Sequence, residues 1–207
     1  MKKIITICGF VLLNLSSYGQ QYSIKINPLS LVIRTLNLQG EIKTRHNQTF
    51  QLGLIYLNRD YELPDFGLNF FAPASTTFSR EIGYGVTPEY RFYFPLQKSN
   101  LIKMYVGPYY RFLKFNIKET TEYENPSIES IIYETKMKRQ GGGVIVGMQL
   151  TFESFLVDFY VGGHYMENNY SNTTDSKGRP SKPYISGFMY ENILPRFGVA
   201  FGFSNIK

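Results

Sequence analysis

Tryptophan is absent from this chain of 207 residues, cysteine occurs once and histidine twice. The single cysteine, Cys8, sits in an apolar stretch close to the start. Residues 20–207 can therefore form neither a disulfide nor a thiolate metal site. His46 and His164 stand far apart, and no His, Cys or carboxylate spacing of a metal site appears. Also missing is any run of ~18 apolar residues after the first twenty, so no transmembrane helix is available there. Charge of one sign is only mildly in excess. The formal net charge of +6 forms no basic stripe, which argues against nucleic acid as a partner.

The first nineteen residues have the layout of an export signal. Lys2 and Lys3 make a positive start, residues 4–15 an apolar core, and Ser17-Tyr18-Gly19 a small-x-small cleavage site. The apolar core is too short to span ~30 Å of hydrocarbon at ~1.5 Å per residue. Cys8 lacks a preceding small residue, which argues against a lipoprotein box. We expect residues 1–19 to be a signal peptide and 20–207 the mature domain, with its formal charge lowered to +4 by the loss of Lys2 and Lys3. A mild basic surplus suits contact with anionic lipid or lipopolysaccharide.

What the chain has in abundance is alternation. Aromatic residues are 16% of the chain, yet mean hydropathy is −0.21. From Ile82 to Phe94 the even positions are Ile, Tyr, Val, Pro, Tyr, Phe and Phe, while the odd ones are Gly, Gly, Thr, Glu, Arg and Tyr. A period of two sends neighbouring side chains to opposite faces of a strand. Eight such segments are expected, near 22–29, 35–43, 50–56, 81–94, 102–118, 138–152, 155–165 and 195–203. In the fifth, Leu113, Phe115 and Ile117 are apolar at the wrong parity, and a β-bulge is the expected cause. Short connections (45–48, 95–101, 153–154) alternate with long ones (60–78, 119–135, 168–192), and a short reversal is expected at 30–33. Phe50, Phe92, Phe94, Phe152, Phe155 and Phe203 flank the short connections, where an interfacial aromatic girdle belongs.

The polar face is cramped. By parity Gly53, Gly83, Gly85, Gly107, Gly141, Gly143, Gly147, Gly162, Gly198 and Gly202 lie on it, and only Gly40, Gly142 and Gly163 on the apolar one. Eight strands enclose a lumen that side chains just fill. The expected fold is all-β, an eight-stranded antiparallel up-and-down transmembrane β-barrel, greasy outside and polar within, located in the outer membrane. A soluble ligand-binding barrel would turn its apolar face inward.

Two strand cores, Pro88-Glu89-Tyr90-Arg91-Phe92-Tyr93-Phe94-Pro95 and Val106-Gly107-Pro108-Tyr109-Tyr110-Arg111-Phe112, are related to each other. Together with Lys25-Ile26-Asn27-Pro28-Leu29-Ser30 and Gly198-Val199-Ala200-Phe201-Gly202-Phe203, they make residues 20–207 resemble small outer-membrane barrels of Bacteroidota. Many of these are grouped as a domain of unknown function, and the wider similarity is to OmpA/OmpX-type barrels. The resemblance implies a location and a fold, and no catalytic residue. Phe203 stands in for the terminal aromatic that many such barrels carry.

Charged residues at inward parity are the first candidate site: Glu41, Glu89, Arg91, Arg111, Asp158 and Arg196. They are expected to form a paired structural network, the competing reading being a narrow ion path. His164, with Glu167 and Ser171, offers the residue types of a hydrolytic triad. His164 has inward parity near the external rim, however, which is the wrong face for a lipid substrate. Gly141-Gly142-Gly143 lacks the Lys-Ser/Thr of a phosphate loop. No cofactor is implied. We expect a non-enzymatic barrel with a structural or surface-binding role; the alternatives are a lipid A deacylase-like hydrolase and a small pore. Apolar residues of the external loops (Phe66, Phe70, Phe71, Ile131, Ile132, Tyr133, Ile185, Phe188, Met189, Tyr190) are candidates for an unknown protein or ligand.

Overall fold

The computed structural model describes residues 21–64, 75–95, 101–123, 130–174 and 192–205. Eight strands run antiparallel in chain order and close on themselves: β1 (Tyr22–Ile26), β2 (Thr35–Arg45), β3 (Gln48–Pro64), β4 (Ser75–Pro95), β5 (Ile102–Tyr123), β6 (Ile131–Phe152), β7 (Phe155–Thr174) and β8 (Ile193–Ser204). Closure is made by β1 against β8, with Ser23 opposite Ser204 and Ile26 opposite Phe201. The expected signal peptide and the loop residues at 66, 70, 71, 185 and 188–190 lie outside the described residues.

Alternation dictates the facing. Ile24, Leu54, Tyr84, Val146, Val161 and Phe197 are exposed on the outside, the last by 73%. Lys25, Glu41, Glu89, Arg91 and Asp158 are buried inside. A core made of charge within a skin made of aliphatic and aromatic side chains inverts the burial of a water-soluble domain. All ten glycines expected inward face the lumen or the crowded inner side, while Gly40, Gly142 and Gly163 face out. The reason is steric. A Cβ on Gly107 would lie 2.2 Å from the Tyr90 carbonyl oxygen, whereas one on Gly40 would meet nothing within 4 Å.

The tight turns carry their own chemistry. His46-Asn47 joins β2 to β3 with Asn47 at φ 66°, and Glu153-Ser154 joins β6 to β7 with Glu153 at φ 53°. Asparagine tolerates this left-handed region well; glutamate does so against its preference.

Four sequence expectations are corrected. The reversal at 30–33 is a short helix, α1 (Leu29–Val32), and β1 ends at Ile26. No bulge resets β5: its pairing with β6 runs unbroken from Ile102↔Leu150 to Thr121↔Ile131. Phe115 and Ile117 are simply buried inside the barrel, where they meet Leu57 and Met137. Register shifts occur instead at Lys43/Arg45 and Glu134/Lys136. Finally, much of the expected long loops is strand. β3 to β7 run 17 to 22 residues, while β1, β2 and β8 have 5, 11 and 12. The barrel therefore has one tall wall and one low side.

Candidate functional site: the charged plug of the lumen

The lower lumen is closed by a layer of three cations and three anions. Lys25 rises from β1, Glu41 from β2, Glu89 and Arg91 from β4, Asp158 from β7 and Arg196 from β8. Lys25 Nζ donates to Glu41 Oε2 at 2.6 Å and to Asp158 Oδ2 at 2.8 Å. Arg91 Nη1 donates to the same Asp158 oxygen at 2.6 Å, and Arg91 Nε donates to Glu89 Oε1. Arg196 Nη1 completes the row by donating to Glu89 Oε2 at 2.9 Å. The charges cancel within the layer, and Arg91 and Asp158 are 0% exposed. Burying ions without such compensation would cost several kcal/mol each.

Hydroxyls and rings complete the layer. Tyr93 donates to Glu41 Oε1 at 2.6 Å and Tyr105 to Asp158 Oδ1 at 2.7 Å. Ser23 and Thr49 also donate to Glu41. Arg91 stacks 4.1 Å from the Tyr105 ring centroid and Arg196 4.2 Å from that of Tyr109. Arg91 Nη2 and Arg196 Nε find no oxygen partner among the described residues; the ring faces supply part of that attraction instead. The rings fit because glycine stands opposite them. Tyr105 pairs with Gly147, Tyr109 with Gly143 and Tyr160 with Gly198 across the strands. A Cβ on Gly147 would lie 2.3 Å from the Tyr105 ring, and one on Gly198 would lie 2.4 Å from the Tyr160 hydroxyl.

Above the plug the lumen is filled by different chemistry. Tyr109 OH and His164 Nδ1 share a hydrogen bond of 2.7 Å. Arg111 Nε donates to Thr87 Oγ1 at 3.3 Å. Next come Leu57, Phe115, Ile117 and Met137, packed together with Leu113, and then the ion pair of Arg59 with Glu81. Beyond the greasy band, burial first and the neighbouring Glu81 carboxylate second hold the Glu119 carboxyl above its ordinary range.

Of the six charges predicted for this site, five meet in one network. Arg111 is brought near, but among the described residues it bonds a hydroxyl rather than a carboxylate. Lys25 was missed, although its parity on the polar face of β1 was visible. His164 is inside and buried, yet β7 continues ten residues past it, so it lies well below the rim. Glu167 is exposed on the opposite face, and the Ser171 side chain lies outside the described residues. His164 and Glu167 are thus on two sides of one sheet and do not assemble a dyad. His46 is exposed at the β2–β3 turn.

A family model described as "protein of unknown function (DUF3575)" matches residues 4–183. No curated protein matches the sequence. Among solved structures, the crystal structure of Acinetobacter baumannii CarO is similar, with 11% identity, a TM-score of 0.38, and coverage of 88% of this chain and 96% of that one. Acinetobacter baumannii CarO2 has 10% identity, a TM-score of 0.42, and coverage of 89% and 97%.

Proposed function

We propose that this chain, which belongs to the DUF3575 family of proteins of unknown function, is a plugged outer-membrane barrel. In this reading it catalyses no reaction and offers its tall external wall as a binding surface. The observation that carries the proposal is the sidedness of charge. Every strand presents an outward apolar stretch, which carries Tyr56, Tyr84, Tyr110 or Tyr165 near its upper end on four of them, and the interior holds buried ion pairs. Lipid tails solvate the first surface without cost; water does not. An outer-membrane strand needs ~9–11 residues to cross, so about half of each of β3 to β7 stands beyond the bilayer.

The wall is also where pairing changes. β2 stops pairing with β3 at Leu57, and β8 stops pairing with β7 at Tyr165. Among the described residues, Arg59–Pro64 of β3 pairs only with β4, and the far part of β7 pairs only with β6.

The test is fractionation of a Gram-negative host expressing the chain. The protein should sediment with outer membranes, resist extraction by salt, and run faster on gels unheated than boiled. Recovery in the periplasmic fraction without detergent overturns the reading. The absence of chemistry is tested separately: expression of the wild type and of His164→Ala should leave identical lipid A mass spectra, and a difference between them would establish a lipid-modifying enzyme.

A further inference from the structure

Immediately beyond the tyrosines, the outward face of β4 to β6 gathers five cations in three cross-strand rows. The first row is Tyr84–Lys114–Lys138, the second Ile82–Asn116–Lys136 and the third Arg80–Lys118–Glu134. All of these polar side chains are exposed. Neighbouring strands lie ~4.8 Å apart and successive same-face positions about 7 Å, so the cations sit within one headgroup's reach of each other. Lys114 faces Lys138 and Arg80 faces Lys118 directly. Like charges in directly opposed positions weaken a bare sheet, and they become favourable only when an anion sits between them.

Two concavities lie here. One of about 510 Å³ is lined in part by Arg80, Ile82, Asn116, Lys118, Glu134 and Lys136. The other, of about 550 Å³, shares Arg80 and Lys118 and reaches Asp60. Asp60 already serves Arg34 at 3.2 Å and Arg80 at 3.6 Å, so the acids of the patch leave a positive surplus. The surplus is local. At the height of the first two rows β3 carries Tyr56 and Asn58, and at the first row β7 carries Asn169 opposite Lys138.

We propose that the outward face of β4 to β6 binds the phosphate groups of a phosphorylated glycolipid in the outer leaflet, with Arg80, Lys118 and Lys136 as the principal cations and Asn116 as a neutral donor. The proposal rests on the membrane-spanning reading given above. Height decides the source of the phosphate. The patch begins one step above the apolar band, where headgroups surround the barrel and where Lys and Arg gain most from an anionic surface.

The test uses the full barrel in neutral detergent, mixed with bisphosphorylated lipid A, with the same glycolipid stripped of its phosphates, or with poly-glutamate, and analysed by native mass spectrometry. We expect about tenfold greater retention of the phosphorylated glycolipid than of the stripped one, equivalent to ~1.4 kcal/mol. Arg80→Gln/Lys118→Gln/Lys136→Gln should abolish that preference, while Arg45→Gln at the other rim should keep it. Equal retention of the two glycolipids by the unmutated barrel overturns the proposal and requires no variant to fold. Preferential capture of poly-glutamate overturns it too, by assigning the patch to an acidic protein. A barrel that folds in the micelle yet ignores phosphate defeats this inference alone; a chain that stays soluble without detergent defeats the membrane reading first.

Discussion

Asp158 and Glu41 are the acceptors on which the plug turns. Asp158 takes Lys25, Arg91 and Tyr105, and Glu41 takes Lys25, Tyr93, Thr49 and Ser23. Removing one acceptor strands cations in a closed space, which is more costly than removing a whole pair. Asp158→Asn should therefore cost about 3–5 kcal/mol in urea unfolding from lipid vesicles. Lys25→Met/Glu41→Gln together should cost less than the sum of the two single changes, because the second relieves the charge exposed by the first. Strict additivity would mean that the pair does not act as a unit. Glycines give the matching steric prediction. Gly147→Ala drives a methyl into the Tyr105 ring and should lose about 1–3 kcal/mol. Gly40→Ala, whose Cβ meets open space, should be neutral or slightly stabilising in the same assay.

At the scale of the strand, depth replaces contact as the controlling variable. Val199 lies mid-band on β8, and Asn169 lies on the outer face of β7 past Tyr165. Val199→Lys should destabilise by about 2–4 kcal/mol and Asn169→Lys by about 0–1 kcal/mol. Equal costs for the two would place the hydrocarbon somewhere other than the apolar band. The same band explains what was legible in the sequence. Within it, an exposed apolar face on one side and a buried polar interior on the other impose a strict period of two, so facing, glycine placement and five of the six network charges could be read directly. Past the band that contrast vanishes. Arg80, Lys114 and Lys118 are exposed on the outward face, while Phe115, Ile117 and Met137 bury an apolar cluster inside. The period persists but its polarity reverses, which imitates a bulge in β5 and makes strand look like loop in β3 to β7. Those extensions are held by cross-strand backbone pairing and by contacts such as the Arg59–Glu81 ion pair, which no single strand's pattern reveals. Lys25 was lost for a related reason: a five-residue strand offers too little pattern to weigh one charge.

For the molecule as a whole, the order of layers along the axis decides whether anything passes through it. From the turn side upward come the six-charge plug, the Tyr109–His164 pair with Arg111, the Leu57–Phe115–Ile117–Met137 cluster, and the Arg59–Glu81 pair. An ion entering the plug would have to displace partners already held at hydrogen-bond distance in a low-dielectric interior. The wild-type barrel in a planar bilayer should thus show no discrete openings. The plug is narrow in sequence terms, because Arg91 and Tyr105 together fill its centre, stacked at 4.1 Å and both bonded to Asp158. Arg91→Ala/Tyr105→Ala removes that stack, admits water to Asp158 and Glu89, and leaves an acidic constriction. Steady cation-selective openings should then appear. Frequent openings in the unmutated barrel would instead make the ion-pair layer a filter and the protein a pore, and silence in the double variant would place the barrier in the apolar cluster above, where Phe115→Ala should release it.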